Sequence, residues 1–382
     1  MQKSLRILLT GGGSGGHIFP LIAVAESLRK TMQPTAIPLE LRYFGDAGEY
    51  KVLIEGKGIR ATHIAGSKWR RYASIKNIFE PFLFFAGICG SLWKIFWYMP
   101  DVAFSKGGPG ALAILTVCRW YNIPVVIHES DSVPGLTNIY SSRFAKKIEL
   151  AFPEAETFFL ARKDRVRVTG MPVRDEILAR AGVQDEIKST LRFDKGVPLV
   201  LFLGGSQGAD TINAFVLQHL DTMLKEFQIL HQVGARNFAR YGNDYNLIRT
   251  RLPATLYAYR PVPFLVQEMG AALQAADLVI SRAGATAIFE IAAVGKPSIL
   301  IPISRSTNDH QKSNAYSYEK RGAALVVEEE NLLIGLLMGE IKKILGNPKL
   351  KESMSNAARA FYTPSASQMI AEDILQVAGV GS

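Results

Sequence analysis

The stretch that constrains the fold most is residues 278–302, where a strand, a tight loop and a helix follow one another directly. An apolar run at 278–280 stops at a loop of small residues, and apolar side chains then recur at helical spacing as far as Val294. Gly295 stands where a glycine commonly ends a helix, Pro297 prevents continuation, and the apolar residues after it form the next strand. The pattern predicts a buried parallel sheet covered by helices.

The loop at the start of this helix suits an anion. A helix N-terminus presents unpaired N–H groups and the positive end of a dipole, which favour a phosphate or diphosphate. Arg282 would add positive charge there, and Glu290, one to two turns into the helix, would accept hydrogen bonds from a diol. A nucleotide diphosphate with its ribose would fit a loop, an arginine, a helix N-terminus and a glutamate that follow one another in this order. The alternative is an ordinary turn between strand and helix with a solvated glutamate.

The same succession of strand, glycine loop and helix occurs twice more, in residues 5–30 and 199–218. The first of these loops matches the dinucleotide fingerprint at Gly11, Gly13 and Gly16, but no acid closes the strand that follows, as a nicotinamide enzyme would require. The sequence therefore predicts two Rossmann-like halves without a hydride cofactor, which suggests nucleotide-sugar chemistry. Strands are predicted at 5–10, 41–44, 102–104, 125–127, 166–168, 199–203, 229–232, 256–258, 278–280, 298–302 and 324–327, and helices at about 20–30, 111–121, 210–218, 332–345, 349–361 and 365–377.

Three strand-end loops of the first half are expected to meet, because the carboxyl ends of parallel strands face one crevice. They span residues 13–17, 106–110 and 128–138. His17 would project from its glycine loop into this crevice, where an imidazole can act as a base near neutral pH. The alternative is a histidine that caps its own helix.

Composition excludes several other classes of protein. At 382 residues, with 20% charged and 48% hydrophobic residues, the chain is long enough for two globular domains. A formal net charge of +10 favours an anionic partner, but the basic residues are scattered and no nucleic-acid recognition motif occurs, so no nucleic-acid partner is expected. Cys89 and Cys118 form neither a disulfide framework nor a metal-ligand spacing, and no signal-peptide pattern opens the sequence, which predicts a reducing cytoplasm.

Residues 68–99 differ in character, because basic residues there precede a run rich in aromatic side chains. The unbroken apolar part, 82–93, is shorter than the roughly twenty residues that span a bilayer. A helix lying in the membrane interface, with basic residues on anionic lipid, fits better, and the alternative is a core helix packed on the sheet. The residues predicted to contact the membrane are Lys68, Trp69, Arg70, Arg71, Phe82, Phe85, Trp93 and Trp97.

Six motifs, in this order, resemble the signature loops of the MurG family: GGGSGGHIFP, HESDSVPGLTN, GMPVR, GGSQGA, SRAGATAIFEIAAVGKP and DHQKSNA. That family consists of N-acetylglucosaminyltransferases that convert lipid I to lipid II in peptidoglycan synthesis. The resemblance covers nearly the whole chain and implies an α/β fold of the GT-B type, with two Rossmann-like doubly wound domains facing an inter-domain cleft. It implies an acceptor- and membrane-binding domain at 1–170, with 363–382 packing back on it, and a UDP-GlcNAc-binding domain at 171–362.

The resemblance also implies roles for the matching residues. Ser206 and Gln207 would lie at the UDP phosphates, Val266 would offer its backbone to uracil, Glu290 would take the ribose hydroxyls, and Gln311 would meet the sugar. The implied donor-binding set is Ser14, Gly15, Gly16, Arg174, Gly205, Ser206, Gln207, Val266, Arg282, Gly284, Ala285, Glu290, Gln311 and Asn314. The implied acceptor-side set is Gly13, Lys106, Gly107, Gly108, His128 and Asn138.

Departures from the family pattern lie mostly in the first half. The second glycine loop, 105–110, is shorter than usual, which implies a different acceptor pocket, and Asp131 stands where the family has an amide. Met171 stands where the family has an asparagine. In the second half of the chain, Lys312 stands where a second glutamine is frequent in the family. None of these changes touches Glu290 or either phosphate loop.

The family mechanism is an inversion, in which the C4 hydroxyl of the muramyl sugar attacks the anomeric carbon of GlcNAc from the face opposite UDP. His17 is the first candidate for the base that takes the hydroxyl proton, and Glu129 and Asp131 are weaker candidates. Helix N-termini and Arg282 would stabilise the leaving diphosphate. No two aspartates lie two positions apart, so neither a protein-bound metal nor a cofactor is expected.

The expected partners are UDP-GlcNAc, lipid I and an anionic membrane surface, together with other enzymes of cell-wall synthesis. The expected location is peripheral, on the cytoplasmic face of the plasma membrane. Three alternatives remain open: a GT-B enzyme with another lipid acceptor, a UDP-GlcNAc 2-epimerase, and a non-catalytic UDP-sugar sensor. An epimerase would not need the aromatic and basic patch at 68–99.

Overall fold

The structure, a computed structural model, describes residues 4–66, 80–179, 182–205, 208–250, 256–304 and 309–380. These residues form two compact units. Unit 1 contains the described residues of Met1–Arg174 and Thr363–Ser382, and unit 2 contains those of Asp175–Tyr362.

Unit 1 is built on a parallel sheet of seven strands in the order β3-β2-β1-β4-β5-β6-β7. The strands are β1 (Leu5–Thr10), β2 (Leu39–Phe44), β3 (Arg60–Thr62), β4 (Val102–Ser105), β5 (Val125–Glu129), β6 (Lys147–Leu150) and β7 (Val166–Val168). The helices of this unit are α1 (Gly15–Met32), α2 (Lys51–Gly56), α3 (Glu80–Tyr98), α4 (Leu112–Trp120), α5 (Leu136–Ser141) and α16 (Ala366–Val377).

Helices cover both faces of this sheet. Leu8 belongs to a buried cluster with residues of α3 and α4, whereas the next residue, Leu9, lies with Ile18 and Leu21 of α1 around a small cavity. Successive side chains of a strand point to opposite faces, so α1 lies on the face opposite α3 and α4. Helix α16 packs along α1 and also contacts β4, β5 and β6. The sheet of unit 1 is therefore doubly wound.

A carboxyl group is buried beneath α16. Glu149 of β6 has no solvent exposure and lies beside Asp373 of α16, which accepts hydrogen bonds from Lys147 (3.2 Å) and Arg167 (2.8 Å). Burial, and then the charge of Asp373, raises the pKa of Glu149 to about 8, while the same two cations keep the pKa of Asp373 below its ordinary value against the effect of burial. At pH 7 Glu149 is therefore mostly neutral, and Asp373 is the charged member of this carboxyl pair.

Unit 2 has a parallel sheet of six strands in the order β10-β9-β8-β11-β12-β13. The strands are β8 (Leu199–Leu203), β9 (Gln228–Gln232), β10 (Tyr259–Val262), β11 (Leu278–Ser281), β12 (Ser298–Leu300) and β13 (Ala324–Val326). The helices are α6 (Asp175–Leu178), α7 (Gln184–Thr190), α8 (Asp210–Gln218), α9 (Leu220–Met223), α10 (Phe238–Arg249), α11 (Met269–Ala275), α12 (Ala285–Val294), α13 (His310–Lys320), α14 (Ile334–Leu345) and α15 (Pro348–Phe361). Side chains of β8, β11, α8 and α14 meet in one buried cluster.

The strand, loop and helix at 278–302 form as predicted. Gly295 ends α12 in the left-handed conformation (φ 73°), and its N–H donates to the carbonyls of Ile291 and Ala292. A side chain at this position would be strained, because the left-handed region favours glycine and a Cβ would lie 2.5 Å from Arg359 Nε. The predictions of strand 199–203 and of a helix at 210–218 are also confirmed.

Other predicted boundaries were wrong. The strand predicted at 256–258 lies at Tyr259–Val262, where pairing with β9 fixes its register, and Pro261 is tolerated because β10 is an edge strand. Helix α1 begins at Gly15, five residues before the predicted start. Each glycine costs a helix only about 1 kcal/mol, which the packing of Ile18 on the sheet outweighs. The short strands β3 and β6 were not predicted.

Candidate functional site

The first glycine loop of unit 1 closes on an imidazole. Strand β1 lies between β2 and β4, so the loops after β1 and β4 leave the sheet at its switch point, where ligands bind in such folds. A Cβ at Gly12 would lie 2.8 Å from the His17 ring, and one at Gly108 would lie 3.5 Å from it. Gly108 also has a positive φ of 87°. The two glycine loops thus hold the His17 ring closely between them.

His17 is held in one tautomer. Its Nδ1 lies 3.2 Å from the carbonyl oxygen of Lys106, which can only accept a hydrogen bond, so Nδ1 carries the proton. Nε2 then has the lone pair, and no described residue donates to it. Burial and, next, the charge of Lys106 lower the pKa of His17 below its ordinary value. A neutral imidazole whose acceptor nitrogen has no partner among the described residues is the form that can take a proton.

The predicted meeting of three loops is confirmed. Lys106 Nζ lies 2.5 Å from His128 Nδ1, and Thr137 Oγ1 donates to the carbonyl of Gly108 at 3.0 Å. A Cβ at Gly107 would lie within 3 Å of the Asn138 amide. The loops after β1, β4 and β5 therefore form one connected surface in unit 1.

Glu129 braces its own loop. Its Oε1 accepts from the N–H of Asp131 (3.0 Å), and its Oε2 accepts from the N–H of Gly135 (3.0 Å) and from Asn138 Nδ2 (2.9 Å). Burial, and then the charge of Asp131, raises the pKa of Glu129 to about 7. Because both oxygens are occupied and the residue is 4% exposed, the geometry suits Glu129 to holding the loop rather than to accepting a substrate proton. Asn138, 2% exposed, serves the same brace.

The other predicted residues of unit 1 lie around the start of α1. Ser14 is the N-cap of α1 but makes no side-chain hydrogen bond there, and the first turn holds no acidic residue. A Cβ at Gly15 would lie 2.9 Å from the Phe19 ring, and the Arg174 guanidinium lies 3.9 Å from the centroid of the same ring. Gly16 is exposed in the first turn. This helix N-terminus suits an anion.

In unit 2 the loop after β8 turns through two glycines of positive φ, Gly205 (78°) and Gly208 (82°). Ser206 and Gln207, predicted at the diphosphate, lie outside the described residues. The sequence analysis missed Gln232, which closes β9 and is 1% exposed. Its Nε2 donates to the carbonyl of Gly205 (3.3 Å) and its Oε1 accepts from the N–H of Leu265 (2.9 Å). A polar residue at the end of a buried strand was the available signal.

The loop after β11 leads into an uncapped helix. Gly284 is the N-cap of α12, no side chain caps that end, and its first turn holds no acidic residue. Ala285 opens the helix, and Glu290 lies in its second turn at 6% exposure. Asn314, predicted at the sugar, is fully buried and donates to the carbonyl of Ala283 (3.3 Å), so the structure gives it a contact with the loop itself. The backbone N–H groups at Gly284 and Ala285 suit a phosphate.

Arg282 is engaged within the protein. Its Nη2 lies 2.5 Å from Glu329 Oε1, and its Nη1 donates to the carbonyl of Ile301 (3.1 Å). Glu329 also accepts from the N–H and hydroxyl of Ser304. Burial raises the pKa of Glu329, but hydrogen bonds led by that of Arg282 outweigh it and lower the pKa to about 2. Sequence reasoning missed Glu329, because nothing local marks a partner 47 residues away.

Two further residues predicted to contact the donor belong to unit 2. Gln311, in the first turn of α13, accepts from the N–H of Ile303 (3.3 Å). Val266 is half-buried and follows Leu265, which Gln232 holds. Gln311 thus holds the segment that follows β12, and Val266 lies directly after the residue that Gln232 holds.

The predicted membrane-contacting residues divide into two groups. Lys68, Trp69, Arg70 and Arg71 lie outside the described residues. Helix α3 carries the other four on its exposed side: Phe82 (73% exposed), Phe85 (69%), Trp93 (65%) and Trp97 (68%). These four residues, together with Phe96, are called the aromatic face below.

Helix α3 is longer than the apolar run counted in the sequence. It has 19 residues and is long and apolar enough to cross a membrane by length and composition, with 28% of its apolar window buried. Lys94 reaches out of it to the carbonyl of His63, while Ile88 and Ile95 pack in the core of unit 1. The prediction that this segment is too short to span a bilayer considered only the unbroken apolar part 82–93, whereas the helix continues through Lys94 to Tyr98. The buried side and the aromatic face make α3 amphipathic.

Two doubly wound parallel sheets, each with glycine loops at its switch point, define a nucleotide-binding α/β protein with the GT-B fold. Residues 7–149 match the glycosyltransferase family 28 N-terminal domain, and residues 199–370 match the glycosyltransferase family 28 C-terminal domain. The chain belongs to this glycosyltransferase family, and within it to the MurG group. A relative from Bacillus cereus, named UDP-N-acetylglucosamine–N-acetylmuramyl-(pentapeptide) pyrophosphoryl-undecaprenol N-acetylglucosamine transferase 2, is 35% identical over 372 residues, which cover 97% of this chain and 99% of that protein.

Solved structures agree on the fold. The crystal structure of Acinetobacter baumannii MurG has a TM-score of 0.70 and 25% identity, covering 97% of this chain and 99% of that one. A UDP-GlcNAc 2-epimerase from Neisseria meningitidis, solved with UDP-GlcNAc, has a TM-score of 0.67 and 15% identity, covering 97% of this chain and all of that one. At 15% identity, the likeness to the epimerase shows only that the two proteins share a fold.

Proposed function

We propose that this enzyme transfers GlcNAc from UDP-GlcNAc to the C4 hydroxyl of MurNAc in lipid I, forming lipid II. The observation that carries the proposal is the His17 imidazole, which two glycine loops hold as a neutral base with Nε2 available. The 35% identity to a relative named for this transfer, over 97% of the chain, supports the choice of substrates. The surrounding acceptor loops of unit 1 give the base a substrate-binding surface.

Unit 2 is proposed to hold the donor. The uncapped N-terminus of α12 offers N–H groups and a positive dipole end to the diphosphate, and Glu290 is placed to accept hydrogen bonds from the ribose. Gln232 holds both the phosphate loop at Gly205 and the loop at Leu265, beside Val266 and the proposed uracil contact. Arg282, paired with Glu329, is proposed to shape the 301–304 segment rather than to bind phosphate alone.

The chemical step balances without a redox partner. The acceptor hydroxyl oxygen forms a bond to the anomeric carbon of GlcNAc while the bond from that carbon to the diphosphate oxygen breaks, and UDP leaves with the electron pair. The hydroxyl proton passes to His17 Nε2. Nδ1 keeps its own proton and donates a hydrogen bond to the Lys106 carbonyl, which stabilises the imidazolium that forms.

The test is transfer of radiolabelled GlcNAc from UDP-GlcNAc to a short-chain lipid I analogue, with and without a metal chelator. A β1,4-linked disaccharide product in both samples is the expected result. Donor binding without that product would reject lipid I as acceptor and direct attention to other lipids or to a sensor role. Conversion of UDP-GlcNAc to its 2-epimer would reject the transferase proposal in favour of an epimerase.

We further propose that the enzyme works as a peripheral protein on the cytoplasmic face of an anionic membrane. The aromatic face supports this, because large apolar side chains that are two-thirds exposed gain free energy by entering a lipid interface. The formal net charge of +10 adds attraction to anionic lipid.

Replacing Phe85, Trp93 and Trp97 together with serine is expected to lower binding to vesicles by at least about tenfold, since each side chain contributes roughly 1 kcal/mol or more on burial. Sedimentation with vesicles containing phosphatidylglycerol measures this. Leu247→Ser is the matched control, because Leu247 is 70% exposed on α10 of unit 2. Unchanged sedimentation of the triple variant would contradict membrane contact through this face.

A further inference from the structure

Lys106 is buried at the centre of the candidate site. It follows β4, is 1% exposed, and its Nζ lies 2.5 Å from His128 Nδ1 and 3.4 Å from the sulfur of Met171. Fully buried lysines are rare unless they are paired. The sequence analysis placed Lys106 among acceptor contacts, but a buried ammonium that faces a histidine and a methionine is badly placed to touch a sugar or a lipid. Its position requires another explanation.

Both ends of Lys106 belong to one chain of hydrogen bonds. His128 Nε2 donates to the carbonyl of Gly170 (2.9 Å), which leaves His128 Nδ1 as an acceptor for the Lys106 ammonium. The Lys106 carbonyl in turn accepts from His17 Nδ1 at 3.2 Å. The side chain therefore anchors the residue whose backbone oxygen fixes the His17 tautomer. Movement of Lys106 would release the oxygen that orients the base.

The charges around Lys106 act on His17 as well. The titratable groups that interact with this pair are His128 and Glu129 of β5 and Asp131 of the following loop. Burial lowers the pKa of Lys106 to about 7, although Glu129 and Asp131 oppose it. The Lys106 side chain is therefore positively charged below about pH 7. This is also the pH range in which an ordinary histidine becomes protonated. A neighbouring positive charge favours the neutral imidazole there.

The geometry points to Lys106 as a positioning residue for His17: its side chain, anchored on His128, holds the carbonyl that orients the imidazole, and its ammonium keeps that imidazole neutral. The inference rests on the proposed function, in which His17 is the base. Lys106 itself touches no reacting atom. Its effect is to extend activity into weakly acidic conditions.

The pH dependence of Lys106→Met tests this inference. Methionine fills similar volume without charge, so the charge of Asp131 would act on His17 unopposed and raise its pKa. The acid limb of kcat/KM is expected to move upward by about one pH unit, which makes activity at the acidic end fall about tenfold more than activity near pH 9. A merely structural role would lower activity equally at all pH values. An acid limb at the wild-type position would overturn the inference.

Lys296→Met in unit 2 is the matched control. Lys296 Nζ donates to two backbone carbonyls at 2.8 Å, and burial lowers its pKa to about 8, so its loss removes a similarly engaged lysine. The acid limb of this variant is expected to stay in place. Lys106→Arg keeps the charge and is expected to keep the acid limb near that of the wild type.

A spectroscopic measurement separates this inference from the proposed function. In the wild-type protein labelled with ¹⁵N-histidine, and assigned by loss of the signal in His17→Asn, the His17 ring is expected to carry its proton on Nδ1 at about pH 8. Finding the proton on Nε2 overturns the inference, and this result does not depend on whether the two Lys106 variants fold. If the wild type forms no disaccharide, the proposed function fails, and this spectrum still decides how Lys106 orients the ring.

Discussion

His17→Asn is expected to lower kcat by about 100- to 10,000-fold, the range that loss of a general base produces. Asparagine can still donate its amide hydrogen to the Lys106 carbonyl, so the glycine loops around the ring should keep their conformation. The change removes the Nε2 lone pair that receives the hydroxyl proton. KM for UDP-GlcNAc is expected to remain within about threefold, because an interaction made only in the transition state affects kcat. Steady-state transfer assays with both substrates varied measure this.

His63→Asn is the control for this substitution. His63 is an exposed residue of unit 1 whose backbone carbonyl, not its ring, accepts from Lys94. This variant is expected to turn over at the wild-type rate. Near-normal kcat in His17→Asn would reject His17 as the base, and Asp131 would be the next residue to test. Glu129 is less suited, since its oxygens already hold the loop.

Glu290→Gln is expected to weaken binding of UDP-GlcNAc by about 10- to 100-fold. A hydrogen bond to a charged group contributes roughly 1.5–3 kcal/mol, and the amide keeps the shape of the side chain while removing its charge. Glu290 is 6% exposed, so the substitution acts at a site where few water molecules can replace the lost acceptor. Isothermal titration with UDP measures the loss of affinity, and titration with 2′-deoxy-UDP shows whether that loss comes from the contact with the ribose hydroxyl.

The comparison of the two nucleotides isolates the ribose contact. Wild type is expected to prefer UDP over 2′-deoxy-UDP, and Glu290→Gln is expected to lose most of that preference. Glu352→Gln on the exposed side of α15 is the control and should bind UDP as wild type does. An equal preference for UDP in wild type and Glu290→Gln would show that Glu290 does not contact the ribose hydroxyls.

Local sequence pattern predicted the elements that carry the loops. Apolar runs ended by glycines located β1, β8, β11 and the helices after them, because strand burial and the backbone freedom of glycine are short-range properties. The same reasoning failed where pairing with a distant strand decides, as for β10, whose register β9 sets. Helix α1 began early for a related reason, since packing on the sheet outweighs the low helix propensity of its glycines.

Side-chain partnerships were not predictable in the same way. The sequence identified His17 and the three loops that meet beside it, but it could not show that Lys106 is buried against His128 rather than exposed to an acceptor. It could not pair Arg282 with Glu329 either. Such contacts depend on where the chain returns in space, which residue spacing does not encode. Roles carried over from resemblance therefore need revision mainly at residues whose partners lie far away in sequence.

The placement of α16 bears on how the chain folds as it is synthesised. Helix α16 packs along α1 and contacts β4, β5 and β6 of unit 1, yet along the sequence all residues of unit 2 precede it and follow the rest of unit 1. Domains generally fold as the ribosome releases them, N-terminal first. Here the order reverses, because residues 175–362 are all available before the last helix of unit 1 emerges. A nascent chain from which residues up to 362 have left the ribosome would thus present a complete unit 2 joined to an unfinished unit 1, with Glu149 still uncovered.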